Sequence, residues 1–252
     1  MATFSTKNPA TGDVLAELEI ATPEQVKNAV EKAQQALPNW KALSFKERAY
    51  HILKARDRIL QSLDDIAELI TKENGKPLTE SISADILPVM ELATYYAKDI
   101  EKILQKDRIW LGKWNFMGRT SEIEYHPLGA IGIIAPWNYP FSIPCGQVIM
   151  ALLAGNTVVL KPSEFTSLIG LKIQEIFDSV GLPEGVLQTV VGDGTTGAAL
   201  VNSGVKKYFL QEVFRRAKNY GCSRSDINSR VLGVGWKRSH DCFGRCGSGC
   251  GV

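Results

Sequence analysis

The sequence predicts an α/β protein, with a helical N-terminal region followed by a parallel β-α-β sheet. Three observations carry this. Capping signals start successive amphipathic helices in the first hundred residues. Near Gly129 the hydrophobic pattern changes from a helical period to short, nearly continuous apolar runs. Each run is followed by a helical stretch, the order that builds a parallel sheet with right-handed crossovers.

The elements follow in chain order. Thr22-Pro23-Glu24-Gln25 supplies a cap, a proline at the first helical position and a Gln that completes a capping box. Ser44-Phe45-Lys46-Glu47 is a second box, opening a helix with Ala49, Ile52, Leu53 and Ala55 on one face. Ser62 and Asp65 open a third helix, which Gly75 and Pro77 end. Residues 79–104 read as a long helix bent near Pro88, so the whole first hundred residues are expected to be helical. Residues 121–125 alternate as an exposed strand and form a hairpin with 109–111. Residues 130–135, 157–160 and 187–191 are buried strands. The helices at 143–154, 166–180 and 195–202 follow them in turn.

Composition narrows the function. The 252 residues include 29 Lys+Arg against 27 Asp+Glu, with 44% hydrophobic and 22% charged residues. This is ordinary globular composition with enough chain for a sizeable core. A formal net charge of +2 leaves no footprint for nucleic acid or an anionic membrane. No apolar run reaches the roughly 18 residues of a membrane helix. Met1 to Asn8 lack the basic start and apolar stretch of a secretory leader, so a cytoplasmic location is expected. The five cysteines, Cys145 alone and Cys222, Cys242, Cys246 and Cys250 near the end, do not suggest a disulfide framework.

Ligands of parallel sheets bind at the carboxyl ends of the strands, which singles out three loops. In Pro136-Trp137-Asn138-Tyr139-Pro140, two prolines stiffen a loop whose Asn carboxamide is either an oxyanion donor or a cap on the next helix. In Lys161-Pro162-Ser163-Glu164, the ammonium and carboxylate suit ribose hydroxyls, or else form a surface ion pair. Gly192-Asp193-Gly194-Thr195-Thr196-Gly197 matches G-x-G-x-x-G, whose glycines let backbone N–H groups approach a pyrophosphate at a helix N-terminus. It follows the third strand of the unit rather than the first, which weakens the match.

Taken together, these loops resemble the NAD(P)-dependent aldehyde dehydrogenase superfamily. Gly155-Asn156-Thr157-Val158-Val159-Leu160-Lys161-Pro162-Ser163-Glu164 and Gly181-Leu182-Pro183-Glu184-Gly185-Val186 add to the likeness. It runs from Asn8-Pro9-Ala10-Thr11-Gly12 to about Lys207. The resemblance implies a cofactor domain, a catalytic domain and an oligomerisation arm, the arm here at about 108–126. It implies NAD as cofactor, with NADP as the alternative, an aldehyde substrate and a homo-oligomeric parent. It makes Asn138 the oxyanion-stabilising residue. Lys161, with Ser163 and Glu164 beside it, holds the adenosine ribose, and Pro136 and Trp137 line the cofactor cleft. The loop carrying Gly192, Gly194 and Gly197 lies near the adenine and pyrophosphate. The family's nucleophilic Cys and general-base Glu lie beyond the matched part, and Cys145 is a small core residue instead.

After Lys207 the family expects a strand and F-T-G-S, but the chain reads Tyr208-Phe209-Leu210-Gln211-Glu212-Val213-Phe214. Written as codons, Lys206 to Phe214 can be AAA AAA TAT TTT TTA CAG GAA GTG TTC. One added A converts this to K-K-I-F-F-T-G-S-V. A second A, in the run encoding Ala217-Lys218-Asn219, lets Leu232 onward read L-E-L-G-G-K, the motif that carries the family Glu. Two single-base losses therefore account for residues 208–252 as an out-of-frame tail, expected to be disordered. Cys222, Cys242, Cys246, Cys250 and His240 could also be zinc ligands, but shifted codons explain them without metal, and none is expected. The expected product is an inactive fragment of an aldehyde-oxidising enzyme. The alternatives are a non-catalytic NAD-binding or subunit-pairing module and the product of a decayed gene.

Overall fold

A computed structural model describes residues 2–210. The chain opens with a two-stranded antiparallel hairpin, β1 (Thr3–Lys7) and β2 (Val14–Glu19), and not with a helix. Asn8 closes its turn, accepting from the Ala10 N–H through its side chain, and Gly12 takes a positive φ there. Asn-Pro and Gly are turn signals, so the helical expectation overran a boundary written in the sequence.

The helices follow as expected. α1 (Pro23–Ala42) and α2 (Phe45–Gln61) each begin with a complete capping box, on Thr22/Gln25 and Ser44/Glu47. α3 (Leu63–Asn74) ends at Gly75, whose φ of 85° gives the left-handed C-cap. The expected long helix is three pieces: α4 (Leu78–Glu80), a π-helical turn (Ser81–Ile86) and α5 (Leu87–Ile103). Pro88 has no N–H to donate, and just before it the Leu87 N–H reaches five residues back to Ile82. The expected hairpin is present, its first strand two residues early, as β3 (Asp107–Ile109) against β4 (Ser121–Ile123), with a short α6 (Lys113–Phe116) between them.

The cofactor-domain elements are β5 (Ala130–Ile134), α7 (Ser142–Leu153), β6 (Thr157–Lys161), α8 (Ser167–Ser179), β7 (Leu187–Thr189), α9 (Gly194–Asn202) and β8 (Lys207–Leu210). Four strands form one parallel sheet in the order β7-β6-β5-β8. Side chains alternate across it: Ile131, Ile133, Val158 and Leu160 face one core, while Ala130, Ile134 and Val159 face the other. The first core is filled by α2, α3, α5, α7 and α8 with Trp40 of α1 and Ile86 of the π-helical turn, the second by the earlier turns of α1 and by α9. Gly132 packs against Leu200 of α9 and Tyr208 of β8.

Two sequence expectations change here. The third strand covers three residues, not 187–191, so this sheet edge is short. The sheet also continues past Lys207, because Tyr208, Phe209 and Leu210 suit a strand whatever frame wrote them. β8 lies on the far side of β5 from β6, so the chain reverses its direction of progress across the sheet at β5. That reversal makes the carboxyl end of β5 the predicted ligand crevice. Cys222, Cys242, Cys246, Cys250 and His240 fall outside the described residues. Among the described residues no helix is long and apolar enough to cross a membrane.

Candidate cofactor and active site

The β5–α7 loop sits at that crevice. Pro136 and Pro140 are buried, while Trp137, Asn138 and Tyr139 are exposed. The Asn138 carboxamide does not cap α7. Asp85, fully buried on the π-helical turn, does so: its Oδ1 accepts the Phe141 and Ser142 N–H groups at 3.3 and 3.0 Å. Asp85 Oδ2 pairs with Lys76 Nζ at 2.6 Å, and both partners are buried. Lys76 also donates to the Asn138 carbonyl at 3.0 Å and lies 4.6 Å from the Tyr139 ring centroid. Asn74 Nδ2 donates to the Trp137 carbonyl at 2.7 Å. The loop's main chain is therefore held from below, and the Asn138 side chain is left to face outward.

The β6–α8 loop differs from a surface ion pair in its burial. Lys161 is only 2% exposed, with Nζ 3.4 Å from Glu164 Oε2, and Glu164 is partly exposed. Asp193 also feels the Lys161 charge, so the ammonium lies among acidic groups. Ser163 is buried and turned into its own loop: its Oγ accepts the Phe165 N–H and its carbonyl accepts the Ser167 hydroxyl. That is a turn-forming role for its acceptor oxygens. Glu73 closes the N-terminus of α8 from α3, accepting the Leu168 and Ile169 N–H groups at 2.7 and 2.9 Å.

The glycine loop does open a helix, as expected. Gly192 is required there, with φ of 152° and Thr196 Oγ1 where a Cβ would stand. Part of the helix N-terminus is capped by the loop itself, however. Asp193 is the N-cap of α9, and its carboxylate accepts the Thr195 N–H at 2.8 Å and the Thr195 hydroxyl at 2.6 Å. These bonds hold the Asp193 carboxyl below the usual carboxylate range. The Thr195 and Thr196 amides at this helix N-terminus are thus taken by the chain's own carboxylate. Gly194 and Gly197 thus start a self-capped helix. All three helices that leave this end of the sheet, α7, α8 and α9, have their N-termini closed by carboxyl groups, from Asp85, Glu73 and Asp193.

A sequence profile described as the aldehyde dehydrogenase family matches residues 1–209. The chain belongs to the aldehyde dehydrogenase family. Among relatives, a 4,4'-diapolycopene aldehyde oxidase of a Methylomonas species is 34% identical over 203 residues, covering 81% of this chain and 38% of that protein. Among solved structures, the NAD+ complex of an aldehyde dehydrogenase from Bacillus cereus is 35% identical with a TM-score of 0.76, and an E. coli NADP-dependent enzyme is 30% identical with the same score. Each of these two matches covers 82% of this chain and 42% of the other. This aldehyde dehydrogenase chain thus spans about 40% of the length of the relatives it matches.

Cys145 is buried on α7, and burial pushes its thiol far above the usual range. It has no base beside it and no thiolate character, so it is a core residue. When the native chain is treated with iodoacetamide and digested, the peptide carrying Cys145 is expected to remain unalkylated until denaturant is added; alkylation under native conditions contradicts the assignment.

Sequence reasoning missed the four residues that hold these loops: Glu73, Asn74, Lys76 and Asp85. A signal existed for two of them. Glu73 continues the apolar row of Ile66 and Ile70 on α3, and Asp85 lies beside Ile82, Ile86 and Val89. A carboxylate on an apolar stripe must find donors across the interface.

Proposed function

We propose that this chain is the cofactor-side part of an enzyme that oxidises an aldehyde to a carboxylic acid with NAD, and that it is inactive by itself. The observation that carries the reading is Asn138: it is exposed at the carboxyl end of β5, its carbonyl is anchored by Lys76, and Asp85 relieves it of capping α7. An exposed carboxamide N–H on an anchored main chain can stabilise the negative oxygen that develops when an aldehyde carbonyl is attacked.

The residues present fit a dinucleotide. Lys161 donates to ribose hydroxyls and Glu164 accepts from them. A 2′-phosphate would meet the Glu164 and Asp193 carboxylates, which favours NAD over NADP. Pro136 and Trp137 flank the cleft, and the turn of Gly192, Gly194 and Gly197 walls it near the adenine. When bound, NAD supplies the hydride acceptor. The attacking thiolate and the base that activates water have no counterpart among the described residues, where the single cysteine is the buried Cys145. The β3–β4 hairpin with α6, at about 108–126, is the oligomerisation arm of a homo-oligomeric parent. It exposes Trp110 and Phe116 by 71% and 85%, a surface that a partner would cover.

Residues 208–252 follow two single-base losses in the A runs at codons 206–207 and 217–219. Purified chain given aldehyde and NAD is expected to form no NADH, and aldehyde-dependent NADH formation overturns inactivity. Resequencing tests the frame: one more A in each run restores a full-length cytoplasmic dehydrogenase, whereas unchanged runs overturn the two-loss reading.

A further inference from the structure

We infer that residues 73–76, at the C-terminal end of α3, form a positioning clamp that sets the two sides of the dinucleotide cleft against each other; this rests on reading the two loops as that cleft. Within four residues, three side chains reach both strand-end loops. Glu73 takes the Leu168 and Ile169 N–H groups and so fixes the start of α8, next to the loop of Lys161 and Glu164. Asn74 donates to the Trp137 carbonyl, and Lys76 donates to the Asn138 carbonyl.

These bonds end on backbone atoms of the loops, not on their side chains. That matters because Trp137, Asn138 and Tyr139 are all exposed, so burial does not hold this stretch in place. Carbonyl anchors hold it without occupying the side chains that face the ligand. The clamp is itself braced. Gly75 sits at φ 85° with Pro9 Cγ 2.7 Å from where a Cβ would stand, so the β1–β2 turn backs it. Asp85 fixes Lys76 from the other side. A ligand that spans both loops meets a preformed distance between them, and its affinity depends on that distance being held. Glu73, Asn74 and Lys76 are therefore positioning residues, touching no ligand themselves.

The test uses the full 252-residue chain, titrated calorimetrically with NAD and with AMP. Asn74→Ala and Asn74→Asp both delete the donor to Trp137, and the second keeps the shape. AMP reaches only the Lys161–Glu164 side, whereas NAD spans both. Each variant is expected to bind NAD at least about five-fold more weakly than the wild-type chain while binding AMP unchanged. The melting temperature is expected to stay within about 3 °C, since one partly exposed hydrogen bond is lost. Unchanged NAD affinity overturns the clamp, as does equal weakening of NAD and AMP, which marks Asn74 as merely structural. In both of those cases wild-type binding leaves the cofactor reading standing. A wild-type chain that binds neither compound overturns the cofactor reading and the clamp together.

Discussion

Replacing Asp85 with Ala destabilises the chain by about 3–5 kcal/mol, the usual cost of stranding one partner of a buried ion pair. Asp85 is 0% exposed and Lys76 8% exposed, so the ammonium left behind cannot recover its hydration. The substitution also frees the Phe141 and Ser142 N–H groups at the start of α7. A double variant separates the two losses. Lys76→Met with Asp85→Leu removes both charges, which is often nearly neutral, but leaves the helix uncapped at about 1–2 kcal/mol. The double variant is therefore expected to be more stable than Asp85→Ala alone. Chemical denaturation of the three proteins measures this; a double variant no better than Asp85→Ala means that capping, not charge pairing, is what Asp85 supplies.

Stability is expected to fall as pH rises towards and through 7, by about 3 kcal/mol from Glu73 alone. Burial pushes the Glu73 carboxyl from 4.5 up to about 7, and the Leu168, Ile169 and Ser167 N–H groups only partly offset this. The folded chain holds a proton there that the unfolded chain has already released above pH 4.5. The contribution is thus fully present below about 4.5 and lost as pH rises through about 7. Glu73→Gln keeps a carbonyl for α8 and removes the titration. Its stability relative to wild type is expected to rise across this window and level off above pH 8. Unfolding free energies of both proteins between pH 4.5 and 8.5 check this, and a constant difference contradicts it.

Much of this molecule was legible in one dimension. The capping boxes at Thr22 and Ser44, the Gly75 stop and the apolar runs at 130–135 and 157–160 are local or periodic features, and local forces shape them. The family loops around Asn138, Lys161 and Gly192 were likewise readable, because strand-end chemistry sits in contiguous residues. The sequence by itself thus determined the family and the parallel sheet, and it singles out the three strand-end loops as ligand candidates.

What those loops are able to do was decided by contacts far apart in the chain. Sequence alone allows Asn138 to cap α7; in the fold Asp85, 57 positions before Ser142, takes that place. Lys161 and Glu164 could have been a surface pair until Lys161 was found buried. In the glycine loop the motif specifies glycine positions but not which acceptor takes the first amides, and in the fold Asp193 takes that of Thr195. The hairpin at β1–β2 and the placement of β8 beside β5 were also set by pairing partners, not by pattern. Helix N-termini and buried charges are satisfied by whatever the fold brings near them, and that choice is made only in three dimensions.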